Sequence, residues 1–101
     1  MADTKRVQLI YPNWQRLPAE VRLPVLSGEQ VAPPEFCEVV YEREVEADAD
    51  PVRVCNTLFQ EFNIGDHGGR RDVRSMSVGD QVKIGDDVYL CASIGWKCIG
   101  S

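Results

Sequence analysis

The chain has 101 residues, enough for one domain built on a single core and too few for two. Its 44% hydrophobic and 27% charged residues are the balance of a folded globular domain rather than a disordered segment. A net charge of −5 and a pI near 4.7 oppose non-specific attraction to nucleic acid or to anionic membrane. No apolar run approaches the roughly 18 residues that cross a bilayer, and the opening MADTKRVQLIYPNW has neither the apolar stretch nor the small-residue cleavage site of a secretory signal. A cytoplasmic location follows as the expectation, and with it reduced thiols at Cys37, Cys55, Cys91 and Cys98.

Residues 1–35 read as a proline-rich N-terminal arm. A strand-like run, Val7 to Tyr11, is followed by Pro12, Pro18, Pro24, Pro33 and Pro34 at spacings that no long helix tolerates. Trp14, Leu17, Val21, Leu23, Val25 and Leu26 make it too apolar for a free linker, so the arm is expected to pack on its own domain along a sheet edge.

Residues 36–101 read as the domain proper. Phe36 to Val45 is a strand, with Cys37, Val39, Tyr41 and Val45 on one face at period two and Glu38, Glu42 and Glu44 beside Val40 on the other. Glu46, Asp48 and Asp50 extend the acidic character. A carboxylate face of this kind can be a docking surface, and it is also the ordinary solvated face of an antiparallel sheet. Asp50-Pro51 then opens a helix to Asn63, with Val52, Cys55, Leu58, Phe59 and Phe62 on its buried stripe and Arg53, Gln60 and Glu61 outside. A polar loop from Asp66 to Arg74 follows. After it come short strands at about 81–84, 88–93 and 96–99, separated by Gly85-Asp86-Asp87 and by Gly95, which form a meander.

Candidate chemistry is sparse. The six residues between Cys91 and Cys98 do not match a compact zinc site, and His67 is the chain's one histidine, so neither a metal centre nor a Cys–His nucleophile has a local signature. No metal, cofactor or catalytic residue is expected. His67, Gly68 and Gly69 with Arg70, Arg71 and Arg74 form the one basic concentration, able to hold a phosphate or carboxylate or to pair with the acidic strand.

Phe62-Asn63, the run Arg74-Ser75-Met76-Ser77-Val78-Gly79-Asp80 and the closing Ile94-Gly95-Trp96 stand in the order found in a YodL-like module of plasmid, integrative-element and phage accessory proteins, which this chain resembles from Phe36 to Ile99. The resemblance implies an α+β fold and a mobile-element origin, and carries over no reaction or catalytic residue. Read physically, the heptapeptide is a turn: Ser75 and Ser77 bond local backbone, Gly79 permits a positive φ, and Asp80 accepts from turn amides.

The expected fold is thus α+β, a small antiparallel sheet with one packed helix and the proline-rich arm. The expected function is a non-catalytic accessory binding protein. Its acidic face of Glu38, Glu42, Glu44, Glu46 and Asp48 would engage a protein partner, such as a restriction or CRISPR nuclease of the host, in the basic channel that holds nucleic acid. The alternative is a nucleic-acid or nucleotide-binding module using Arg70, Arg71 and Arg74, which requires local charge to overcome the global −5.

Overall fold

The computed structural model describes residues 3–27, 29–65, 74–92 and 95–100. Alternating side chains carry Thr4–Pro12 through the sheet as β1, with Val7, Leu9 and Tyr11 buried, Arg6 exposed and Gln8 and Ile10 half-buried. Cys37–Glu46 is β2, and the meander is β3 (Gln81–Ile84), β4 (Asp87–Cys91) and β5 (Trp96–Gly100). All pairings are antiparallel in the order β2-β1-β3-β4-β5. Among the described residues the helices α1 (Ala19–Ser27) and α2 (Pro51–Asn63) and a 3-10 turn at Pro34–Phe36 join this sheet in an α+β fold.

Helix α2 begins as its residue types dictate. Pro51 occupies the first turn, and the Asp50 carboxylate accepts from the Val52 N–H at 3.3 Å. At its end the N–H groups of Ile64 and Gly65 both donate to the Gln60 carbonyl. Cys55, Leu58 and Phe62 are fully buried against Val7, Leu9, Val82 and Ile84, with Tyr11 and Met76 in the same cluster. Burying Phe62 alone is worth roughly 1.5–3 kcal/mol.

The stripe is rotated from the expected one. Val52 is 45% and Phe59 38% exposed, while Glu61 is half-buried. The cause is Arg43 on β2, whose guanidinium forks onto both Glu61 oxygens and onto the Tyr41 hydroxyl, drawing that flank of the helix onto the edge strand. Tyr41 in turn meets Phe62 edge-on at 5.2 Å. Phe59 lies on the other flank, edge-on to Trp96 at 6.4 Å, and the Trp96 Nε1–H donates to Asn56.

The N-terminal segment does not lie along a sheet edge, the place expected of it. Strand β1 lies between β2 and β3, not along an edge, and the N–H of Asn13 donates to the Phe36 carbonyl at 2.7 Å one step past the Pro12–Cys37 pair. Residues 13–36 are therefore the enlarged loop of a β1–β2 hairpin. That loop builds a second small core from Leu17, Val25 and Ala32, flanked by Trp14, Val21 and Phe36. It closes over the turn before β3: Gly79, at φ +100°, leaves no room for a side chain, since a Cβ there would stand 3.0 Å from Val25. Pro24 sits inside α1, which stays nine residues long.

A bulge in β1–β2 changes the faces of β2. Leu9 pairs with Tyr41 but Ile10 with Val39, so Val40 is an extra residue without a partner opposite. Val40, Tyr41 and Val45 pack on the main core, and Val39, expected with them, is 46% exposed on the far face.

Candidate functional site

Because α2 covers one face of the sheet, the side chains that remain for recognition stand on the other. Register places them in rows. Glu42, Gln8, Lys83 and Val88 lie side by side across four strands, and Val39, Ile10, Gln81 and Leu90 form the next row. Glu44 stands beside Arg6, and Glu46 beside Thr4.

This geometry brings Glu42, Glu44 and Glu46 into one line on an edge strand, with alternate residues about 6.6–6.8 Å apart along it. All three are exposed, as are Glu38 near the start of β2 and Asp48 in the turn that follows it. Glu42 accepts from the Gln8 amide at 3.1 Å and Glu44 from the Thr4 hydroxyl at 3.4 Å, which orients both without neutralising them. Among the described residues none of the five acids is in an ion pair. Beyond Glu46 the charge continues into an open groove of about 560 Å³ between the end of β2 and the start of α2, where Asp48 and Asp50 face Arg53.

The basic loop is described only at Arg74; His67, Arg70 and Arg71 lie outside the described residues. Arg74 is committed to the fold. Its guanidinium forks onto the carboxylate of Asp80 at 2.9 and 2.7 Å and lies over the Tyr11 ring at 4.0 Å, while the Tyr11 hydroxyl donates to the Arg74 carbonyl at 2.9 Å. The Asp80 side chain has no exposure and also accepts from the Ser77 N–H at 2.7 Å. Burial holds the Asp80 carboxyl above its ordinary value, and Arg74 and the Ser77 amide offset only part of that rise. The same burial, with the Asp80 charge adding to it, raises the Tyr11 hydroxyl. Arg74 thus pairs with Asp80 rather than with Glu38, Glu42 or Glu44, and it braces the turn that leads into β3. Asp80 was readable as a turn acceptor, but nothing local in the sequence marks its partner six residues back.

The four thiols are unbridged: Cys55 and Cys91 are buried, Cys37 is half-buried and Cys98 exposed. Burial pushes Cys55 up to about 12 and Cys91 up to about 11, and raises Cys37 as well. These are the reverse of the conditions that make a thiolate. Among the described residues no group of His, Cys, Asp and Glu is placed to hold a metal ion, and no helix is long and apolar enough to cross a membrane. What the described surface offers is therefore charge and shape on the outer sheet face. Comparisons with protein-family models, with curated proteins and with solved structures found no match for this chain.

Proposed function

We propose that the chain is a non-catalytic accessory binding protein of a mobile element that docks on a protein partner through the acid row of β2. The observation that carries this reading is the line of Glu42, Glu44 and Glu46, exposed and in no ion pair among the described residues, with Glu42 oriented by Gln8 and Glu44 by Thr4. Asp48 carries the acidic charge on into the turn after it, whereas Glu38, expected in the same face, stands opposite Tyr11 beyond the bulge and is out of the row. An ordered row of carboxylates on a rigid strand presents negative charge at fixed intervals, as a nucleic-acid backbone does. The partner that fits is a basic channel, and the host nuclease of a restriction or CRISPR system is the kind of protein that has one. Complementary charge of this kind raises the association rate and selects partners. The same acids discourage β2 from pairing edge-to-edge with a second copy, because like charges would meet across the new ladder.

The test is inhibition of a panel of DNA-cleaving restriction and CRISPR nucleases at low ionic strength, with the wild type beside the triple reversal Glu42→Lys, Glu44→Lys, Glu46→Lys. The reading expects stoichiometric inhibition of at least one enzyme, relieved by excess DNA, weakened by raising salt from about 50 to about 300 mM and lost in the reversal. Inhibition that survives the reversal, or a wild type inert on every member and recovering no protein from a bacterial lysate at low salt, removes it.

A further inference from the structure

A second feature of the outer face is independent of the acid row. Beneath the Pro34 turn the sheet forms a groove of about 380 Å³, within the range of ligand-binding clefts. Its walls are aliphatic: Ile10 from β1, Val39 from β2, Val88 from β4, and Pro34. Val39 is 46% exposed there, a β-branched side chain that the bulge has turned away from the core.

Two polar side chains of β3 are set among these walls. Gln81 is only 7% exposed, yet its Nε2 has no hydrogen-bond partner. Buried amide N–H groups are almost always paired, because water is no longer there to take the bond. Lys83, two residues on, is half-buried and is in no ion pair among the described residues. Its neighbours in the row are Gln8 and Val88, neither of which carries charge. An unpaired cation and an orphaned amide, side by side in an aliphatic groove, call for an occupant with a carboxylate, a neighbouring polar group and a branched aliphatic side chain.

We infer that the groove binds the C-terminal end of a peptide chain closing on an aliphatic residue such as leucine. The terminal carboxylate meets the Lys83 ammonium. The preceding peptide group, with one donor and one acceptor, matches the amide of Gln81, which has both, once that side chain turns its buried Nε2 toward the groove. The last side chain lies on Ile10, Val39 and Val88. Glu38 also borders the groove, on the β2 side, and repels a carboxylate from that end, which fixes the direction of entry. A free aliphatic acid would satisfy Lys83 alone and leave the Gln81 amide without its peptide partner.

The experiment is a titration of the ¹⁵N-labelled full chain with acetyl-Gly-Val-Leu as the free carboxylate, with the same peptide as its C-terminal carboxamide, and with 4-methylpentanoate. The free-acid peptide is expected to shift the amide resonances of Ile10, Val39, Gln81, Lys83 and Val88 saturably and to bind about tenfold more tightly than the carboxamide, the difference one charge-assisted contact supplies. Lys83→Met should erase that preference while the melting temperature holds. Equal binding of acid and carboxamide overturns the inference, as does an absence of saturable shifts. Equal binding of 4-methylpentanoate would assign the groove to small acids instead. Movement of the same resonances with protein concentration alone would assign it to a second copy.

Discussion

Replacing Arg74 with alanine leaves the Asp80 carboxylate fully buried with only the Ser77 N–H to meet it. Removing one partner of a buried ion pair costs about 3–5 kcal/mol when both are enclosed. The Arg74 side chain is 39% exposed, so water entering its place offsets part of that, and the expected loss is about 2–4 kcal/mol. A domain of this size has about 5–15 kcal/mol in total, so the melting temperature should fall by about 10–25 °C. Urea unfolding measures the loss directly, and a second substitution, Asp80→Asn, should recover part of it if the two residues act as a pair. The pH dependence has a definite sign. The folded carboxyl already binds its proton more tightly than the unfolded chain does, and without Arg74 it binds it more tightly still. Stability from that group is then present below the ordinary carboxylate range and lost as pH rises through the raised folded value. The variant's deficit should accordingly be larger near pH 7 than near pH 4. A deficit below about 0.5 kcal/mol, typical of a surface substitution, would show that Arg74 does not brace the turn and would return it to the candidates for anion binding.

Phe62→Ala should cost about 3–5 kcal/mol and Phe59→Ala about 1–2 kcal/mol, because the first empties the core and the second trims an exposed flank beside Trp96; equal losses by calorimetry would mean the helix is rotated from its observed seat. With thiols at about 12 and about 11, Cys55 and Cys91 hold only about one part in 10⁴ and 10³ as thiolate at pH 8, so iodoacetamide should modify exposed Cys98 first and these two last. Mass analysis after denaturation without reductant should count four alkylated thiols, and early labelling of Cys55 would contradict its burial.

Local signals carried the parts of the fold that are local. Asp50-Pro51 and the phenylalanine spacing placed α2, and Gly85 with Gly95 divided the meander, because caps and turns are decided by the residues that form them. The position of β1 was not legible. Its partners lie on β2 and β3, separated from it by long stretches of chain, and the prolines after Pro12 look alike whether they form a trailing arm or a hairpin loop. The bulge was invisible for a similar reason: in Cys37-Glu38-Val39-Val40-Tyr41 nothing says which valine is the extra residue, and choosing wrongly moved Val39 to the other face. Arg43 went unremarked because an arginine among glutamates looks solvated until Glu61 arrives from the helix. Of the candidate site, the acids could be read one by one, but not their alignment with Gln8 and Lys83.

That alignment links the two binding readings and separates them experimentally. Glu42 and Lys83 share a row with one strand between them, so they stand roughly 9.4–9.8 Å apart across the sheet. This is about one Debye length at 0.1 M salt. A basic partner on the acid row is drawn in by several charges acting over such distances, and added salt removes most of that attraction. A peptide carboxylate entering at Lys83 has the opposite balance. Its attraction is a contact in a half-buried groove, which salt screens weakly, whereas the repulsion it meets from Glu42 and Glu44 acts across the row and is screened strongly. Raising ionic strength should therefore weaken docking on the acid row while leaving peptide affinity level or raising it. A parallel loss of both would mean that one electrostatic surface had been counted twice, because occupants held at separate ends of this face by charges of opposite sign cannot respond to screening in the same way.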